Sequence, residues 1–163
     1  MTTQYEAGYK LRDLKAFIEK CVGEQIAKHM QCEMSDISLS LNSRHMGQGM
    51  DLLLMRYQAE FYFDRFPFRD YSPAVLFCNV GAWLMDNDTE RDDGESLADP
   101  EVDVVMEDER SAEVIITVDF EEPVRVIADE NGPIYWRGQQ WSIEEYEIWV
   151  AKSLRDVVVT SRD

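Results

Sequence analysis

The chain has 163 residues and a formal net charge of −17, from 33 acidic and 16 basic side chains. This length suits one domain with its own core, so residues 1–163 are predicted to form a single domain. An apolar content of 45% argues against disorder, and the negative charge argues against binding of nucleic acid by a basic face, because the chain's field repels phosphate.

The first half of the chain shows one helical pattern followed by two strand patterns. Apolar residues between Leu11 and Ile26 recur at spacings of three and four, which predicts an amphipathic helix of about five turns. The period changes to two after Glu33, which predicts a half-buried strand, then a polar loop over residues 42–49 and a second, long strand. The apolar face of the first strand is Ile37, Leu39 and Leu41, and that of the second is Leu53, Met55, Tyr57, Ala59, Phe61 and Phe63.

The middle of the chain predicts a capped helix and a hairpin. Ser72 suits the N-cap and Pro73 the first helical position, and the helix is expected to end near Asp86. Two β-branched runs, 102–106 and 113–120, flank a polar turn at 108–111, and a further strand is expected at 124–127. The predicted buried stripe of the helix is Leu76, Phe77, Val80, Trp83 and Leu84.

The end of the chain predicts a small aromatic hairpin. Asn131-Gly132 is a turn signal, after which residues 134–136 approach residues 140–142 across a turn at 137–139. Residues 143–151 fit both helix and strand patterns, and extended structure is favoured. The whole pattern predicts an α+β fold, a mainly antiparallel or mixed sheet with two helices packed on one face.

The chain's cysteines and histidines do not point to a chemical site. An odd number of cysteines, three, fits a reducing cytoplasm, and Cys21 and Cys78 fall in apolar helical patterns as small core residues. His29 and His45 have no partner at metal-ligand spacing, and the sequence contains neither a phosphate-binding glycine loop nor a Gly-x-Ser-x-Gly motif. No catalytic residue, metal ligand or cofactor is therefore predicted.

Two segments stand out as candidate interaction surfaces. From Asp86 to Arg110 there are twelve acids and two bases, which gives this segment −10 of the total charge. It fits a solvated, self-repelling loop, or a surface that faces a basic partner or lines a passage for DNA. The aromatic residues late in the chain fit either hairpin packing or a protein interface. The candidate residues are Asp86, Asp88, Glu90, Asp92, Asp93, Glu95, Trp136, Trp141 and Trp149.

The order of these features resembles a known family. Val-Gly-Ala-Trp-Leu at 80–84, an acidic gap, and the strand runs 102–106, 112–118 and 122–126 are similar to the tail completion protein R family of contractile-tailed temperate phages. The resemblance covers residues 8–130 as the core, and residues 133–163 form an aromatic carboxyl-terminal extension.

The resemblance implies a tail-terminator-like fold and a structural virion protein without catalytic residues. It implies a homo-oligomer, a hexameric ring that caps the tail tube and sheath and supports joining to the head-side connector. DNA would pass through without specific binding, and no membrane would be involved. The protein would belong to the virion tail and be assembled in the host cytoplasm.

Two other classes of function stay open. An acidic protein can mimic DNA and inhibit a DNA-binding partner, and the segment Asp86 to Arg110 motivates that alternative. A hydrolase that uses acidic residues is a weaker alternative, because any two of 33 acids would serve equally well as an acid/base pair.

Overall fold

The computed structural model describes residues 8–41, 44–46, 49–92 and 97–144. Three α-helices, one 3₁₀ helix and seven strands lie in these residues. In chain order they are α1 (Tyr9–Val22), α2 (Glu24–Ala27), β1 (Met30–Ser40), β2 (Arg44–Met46), β3 (Gly49–Phe66), α3 (Pro73–Asn87), the 3₁₀ helix Thr89–Asp92, β4 (Glu101–Met106), β5 (Ala112–Ala128), β6 (Ile134–Trp136) and β7 (Gln139–Ile143).

The strands pair in the order β1–β3–β5–β7–β6, with β2 also paired to β3 and β4 to β5. The β2–β3, β4–β5, β5–β7 and β6–β7 pairs are antiparallel. By internal contacts the chain divides into two compact units: a first unit of Met1–Ser38 with Arg56–Glu121, and a second unit of Leu39–Met55 with Glu122–Asp163. The architecture is α+β, as the sequence predicts.

The first unit packs two helices on one face of its strands. The backbone N–H of Leu11 in α1 donates to the Tyr57 hydroxyl in β3 at 3.1 Å, and the Trp83 ring of α3 meets Phe120 of β5 edge-on at 6.5 Å. Tyr57 and Phe120 are themselves ring neighbours at 5.8 Å, so both helices cover the same face. The buried apolar residues on the strands of this unit include Tyr57, Ala59, Phe61, Phe63, Val114, Ile116, Val118 and Phe120.

The second unit has a smaller core. Met50, Val126 and Trp141 are buried together, with Leu52, Ile134 and Trp136 packed against them. In the same unit Glu144 is buried and forms an ion pair with Arg125, Nε to Oε2 at 2.7 Å. A carboxylate in this position needs a cation nearby, because a buried charge without one is strongly destabilising.

Several predicted elements are confirmed. The long strand buries Met55, Tyr57, Ala59, Phe61 and Phe63 of its predicted face, while Leu53 is only half-buried. Helix α3 begins at Pro73 with Ser72 in the N-cap position, although the Ser72 side chain makes no capping hydrogen bond. The hairpin of β4 and β5 and the aromatic hairpin of β6 and β7 also form in the predicted positions. The sequence signals for these elements are local: period-two alternation, a residue suited to the N-cap, and turn residues. Such signals can be recognised without knowing which distant residues the element packs against.

The long first helix is predicted wrongly in its second half. Helix α1 ends at Val22, because Gly23 takes φ +85°, a conformation that favours glycine and interrupts the helix. Only the single turn α2 follows. The apolar spacing up to Ile26 continues across this break and therefore does not reveal it.

The burial of β1 is also predicted wrongly. Its buried residues are Met30, Cys32 and Met34, whereas Ile37, Leu39 and Leu41 are 49%, 57% and 87% exposed. Asp36 takes φ +51°, an uncommon conformation for a residue with a side chain, and the alternating burial of the strand ends there. Alternation beyond Asp36 therefore marks a strand but not a buried face.

Two connections and one cysteine differ from expectation as well. The predicted loop 42–49 contains the strand β2, and the two strands predicted on either side of Pro123 are one continuous strand, β5. Pro123 lies between the stretch of β5 paired with β4 and the stretch paired with β7. Cys32 is buried, but Cys78, predicted as a core residue, is exposed on α3.

No helix in the described ranges is both long enough and apolar enough to cross a membrane.

Candidate interaction surface

The acidic segment begins with an internal ion-pair network in the first unit. Asp88 follows α3, and its carboxylate contacts Lys10 Nζ at 2.7 Å and Arg91 at 2.8 Å. The Asp88 side chain is only 1% exposed, and those of Lys10 and Arg91 are 9% and 12% exposed. Lys10 Nζ also donates to the Glu121 backbone carbonyl at 2.8 Å. The network thus joins α1, the end of α3 and β5.

Arg91 extends this network to the next loop. Its guanidinium donates to the backbone carbonyls of Asp119 at 2.7 Å and Ala98 at 2.9 Å, and it lies over the Phe120 ring at 5.9 Å. Charge-assisted hydrogen bonds of this length are the stronger kind, because one partner is ionised. Both the end of α3 and the approach to β4 are therefore fixed to β5.

The predicted acidic residues occupy different environments. Asp86 is exposed at the end of α3, and Asp88 is buried in the network. Glu90 and Asp92 lie in the 3₁₀ helix, while Asp93 and Glu95 lie outside the described residues. The structure brings Asp88 together with Lys10 and Arg91, two residues that no sequence pattern connects to it.

The predicted aromatic residues pack within the β6–β7 hairpin. Trp136 and Trp141 have ring centroids 5.2 Å apart, and Trp141 Nε1 donates to the Trp136 backbone carbonyl at 2.9 Å. Trp141 is 7% exposed, and Arg137 lies over the Trp136 ring at 4.5 Å. Tyr135 is 78% exposed and is the aromatic residue that this hairpin presents to solvent. Trp149 lies outside the described residues.

Helix α3 carries a second apolar stripe that the sequence reading missed. Leu76, Val80 and Leu84 are buried, and on the opposite side of the helix Val75 and Met85 are 48% and 72% exposed. We call this exposed set the α3 stripe: Val75, Cys78, Ala82 and Met85, at spacings of three, four and three. A helix that is apolar on both sides is typical of one with neighbours on both sides.

Strand β4 leaves a further apolar stripe uncovered. Val102, Val104 and Met106 pair in register with Ile116, Val114 and Ala112 of β5, which are all buried. Directly paired residues lie on the same face, so this β4 stripe, Val102, Val104 and Met106, continues the face that the helices cover. Its residues are nevertheless 42%, 45% and 60% exposed. We refer to these two stripes, which lie on different elements of the first unit, as the open patch.

Hydrogen bonds from within the turn and from the end of β3 hold the turn that follows β4. Asp108 accepts hydrogen bonds from the backbone N–H groups of Arg110 at 2.7 Å and Ser111 at 2.8 Å, and these bonds lower its pKa. Arg69 Nε donates to the Glu109 carbonyl at 2.6 Å, and the Arg65 N–H donates to the Glu107 carboxylate at 2.9 Å. The exposed hairpin is thus held to the corner that follows β3.

Among the described residues, no three His, Cys, Asp or Glu side chains are grouped so that they could hold a metal ion. The features on the described surface are instead apolar stripes on a helix and on a strand that pairs with β5, beside exposed carboxylates.

This combination defines an α+β protein that presents apolar surface on a helix and on a strand of its sheet. Comparison with known families makes the assignment specific: the model of the P2 phage tail completion protein R (GpR) family matches residues 8–145. The chain belongs to this family, and so to the tail completion proteins of phages. The match runs past residue 130, where the resemblance ended, and takes in the aromatic hairpin.

A relative from a phage supports a phage origin for the chain. An uncharacterized 19.2 kDa protein in the rep-hol intergenic region of Haemophilus phage HP1 (strain HP1c1) is 30% identical over 112 residues. The aligned stretch covers 68% of this chain and 66% of the relative, just under two thirds of the relative's length. No solved structure matches the chain.

Proposed function

We propose that the chain is a non-enzymatic tail terminator, a homo-oligomeric and hexameric ring that caps the tail tube and sheath and supports joining to the head-side connector. The observation that carries the proposal is the open patch, in a chain whose family completes phage tails. A protein that works by assembly needs apolar surface which its own fold leaves uncovered.

The size and position of the exposed apolar side chains favour a contact role. Full burial of an exposed Val or Met side chain is favourable by about 1.5–3 kcal/mol before the entropic cost of association, and the open patch contains several half-exposed side chains of this kind. Exposed apolar side chains that share one helix face, as in the α3 stripe, are typical of interaction sites in proteins that are otherwise soluble. In the second unit, exposed Tyr135 and Arg137 on the aromatic hairpin are of the residue types that anchor protein interfaces.

The remaining exposed carboxylates suit a passage for DNA. Asp86, Glu101, Asp103 and Glu107 are exposed, whereas Asp88 is turned inward and paired. Negative charge on the lumen wall would keep the duplex from sticking during ejection, because the wall and the phosphates repel each other. In this proposal the subunits assemble in the host cytoplasm and stay in the virion tail.

Deletion of the gene in the phage or prophage that encodes the chain tests the proposal. We expect tails of uncontrolled length that fail to join heads, visible by negative-stain electron microscopy, and rescue by the wild-type gene supplied in trans. Tails of normal length joined normally to heads in the deletion strain would contradict the proposal.

A binding experiment separates this function from DNA mimicry. A terminator should co-purify with tail tube or sheath subunits when the proteins are mixed. A DNA mimic should instead bind a basic DNA-binding protein with strong salt dependence, because that contact would consist mainly of opposite charges. Binding of tail subunits that persists in high salt favours the terminator.

A further inference from the structure

Strand β1 ends in a stretch whose side chains are all exposed. After Asp36, which takes φ +51°, Ile37 and Leu39 are about half exposed, and the serines at 38 and 40 are exposed as well. Leu41, directly after the strand, is 87% exposed. We call residues 37–41 the β1 tip. Three large apolar side chains of the β1 tip are therefore largely in contact with water.

The β1 tip belongs to an outer strand of the sheet. Strand β1 stands at one end of the strand order, and within the part of the chain that the structure describes it pairs with β3. The other side of an outer strand presents backbone N–H and C=O groups that can pair with a strand of another chain. Charged residues or proline commonly protect such an edge, and the β1 tip, Ile-Ser-Leu-Ser-Leu, contains neither.

The sequence of the β1 tip is self-complementary in an antiparallel pair. When two copies pair about a twofold axis at Leu39, the two Leu39 side chains face each other, and Ile37 of each copy faces Leu41 of the other. Ser38 of each copy likewise faces Ser40 of the other. Directly opposed side chains lie on one face and contact each other, so the apolar side chains of both copies gather on one face and the hydroxyls on the other.

Charge also permits a second copy as the partner. The β1 tip has no ionisable side chain, although the whole chain carries −17. The nearest acid is Asp36, and in this register the Asp36 residues of the two copies lie six positions apart along the strands, about 20 Å. This separation exceeds the Debye length of about 8 Å, so the repulsion between them is largely screened.

The exposed strand β4 does not have this property. An antiparallel pair of two β4 strands about Val104 would place Glu101 of each copy opposite Glu107 of the other, and Asp103 opposite Val105. Like charges that are directly opposed destabilise a strand pair. Of these two exposed strands, β1 is therefore the one suited to pair with its own copy.

We infer that the β1 tip pairs with the β1 tip of a second copy of this chain, antiparallel and with the twofold axis at Leu39. This goes beyond the proposed function, because neighbours in a cyclic ring meet through heterologous contacts without a twofold axis between them. The dimer is thus a state of subunits outside the ring. It covers, in each free subunit, an apolar strand edge that is otherwise open to aggregation.

The first experiment measures dimerisation of the full chain over a concentration series, by light scattering after gel filtration. Leu39→Lys places two like charges opposite each other at the axis, so we expect it to weaken dimerisation about 30-fold or more. Ile143→Lys is the matched control and should dimerise like wild type, because Ile143 is a strand residue with the same exposure as Leu39, 57%. Circular dichroism checks that both variants fold.

The second experiment tests the register by disulfide formation under mild oxidation, in a Cys78→Ser background that removes an exposed thiol. Leu39→Cys should form linked dimers, because directly opposed residues bring their Cβ atoms close to the spacing that a disulfide needs. Ile37→Cys alone should not, since its two copies lie four positions apart, about 13 Å. A mixture of Ile37→Cys and Leu41→Cys should link. Ile143→Cys measures linking by random collision.

Three results would overturn the inference. The first is wild-type protein that is monomeric at all concentrations, as expected if another part of the same chain covers the β1 tip. The second is equal association of wild type and Leu39→Lys. The third is linking of Leu39→Cys no faster than that of Ile143→Cys, or self-linking of Ile37→Cys faster than that of Leu39→Cys. None of them bears on the tail phenotype of the deletion strain, so failure of this contact and failure of the proposed function are distinguishable.

Discussion

At the scale of single residues, Asp88 determines how the acidic segment is attached. Its carboxylate forms ion pairs with Lys10 and Arg91, and the Asp88 side chain is only 1% exposed. Removing one member of a buried ion pair is more damaging than its net contribution suggests, because the remaining charge keeps its desolvation penalty.

Asp88→Ala should therefore lower the free energy of unfolding by about 3 kcal/mol. Urea denaturation followed by circular dichroism measures this change. Asp86→Ala, two positions earlier and exposed, is the control and should alter stability by less than about 0.5 kcal/mol. Equal effects of the two substitutions would mean that the network does not stabilise the fold.

The thiols of Cys32 and Cys78 should differ in reactivity. Burial raises the pKa of Cys32 to about 12, Glu19 adds to this rise, and Lys15 opposes it, so this thiol stays protonated in mildly alkaline buffer. The thiolate is the reactive form, and Cys78 is exposed.

Iodoacetamide should accordingly modify Cys78 while Cys32 resists, as measured by peptide mass spectrometry under conditions where the protein is dissociated. In urea all three cysteines should react, which controls for the reagent. Modification of Cys32 in the folded protein at the rate of Cys78 would contradict its burial.

At the scale of elements, the aromatic hairpin depends on a close approach of two backbones. A Cβ at Gly132 would run into the backbone carbonyl of Trp141, which cannot move without disturbing β7. Gly81 in α3 is different, because nothing lies within 4 Å of where its Cβ would be.

The same substitution should therefore have opposite effects at the two glycines. Gly132→Ala should destabilise the protein by about 2 kcal/mol through overpacking, and Gly81→Ala should stabilise it by about 0.5 kcal/mol through helix propensity. Thermal and urea unfolding of the two variants provide the test. A neutral Gly132→Ala would mean that the backbones of the turn and β7 are not in contact.

Elements whose signals are local could be predicted from the sequence. Ser72-Pro73 at the start of α3 and the alternation from Met55 to Phe63 in β3 both give the correct structure. Exposure in β1 could not be predicted, because alternation shows only that Ile37 and Leu39 share a face and not whether any helix covers it.

The candidate surface was harder to predict for the same reason. The predicted buried stripe of α3 is correct for Leu76, Val80 and Leu84, whereas Phe77 and Trp83 are half-buried. Because the helix is apolar nearly all round, its sequence does not show that the opposite side stays exposed. The sequence does not distinguish Asp88 from the other acids of the segment Asp86 to Arg110, because its partner Lys10 is 78 positions away. Both features depend on tertiary neighbours, which composition and periodicity do not specify.

At the scale of the whole molecule, loss of stability and loss of contact should give different phenotypes. Met85 is 72% exposed, so Met85→Glu leaves the fold intact while it places a charge in the open patch. Asp88→Ala weakens the fold but leaves the open patch unchanged. A loss of about 3 kcal/mol is tolerated at low temperature and becomes limiting on heating, because the free energy of unfolding of a typical domain is only about 5–15 kcal/mol.

In a deletion strain complemented from a plasmid, Met85→Glu should fail to restore normal tails at every temperature. Asp88→Ala should restore them at low temperature and fail at high temperature. Plaque titre and tail length by negative-stain electron microscopy measure both outcomes, and immunoblotting checks protein levels. If Met85→Glu restores normal tails at all temperatures, the open patch has no part in tail completion. If Met85→Glu fails only on heating and with reduced protein level, its defect is one of stability, and Met85 then contributes to the packing of α3 and not to a contact.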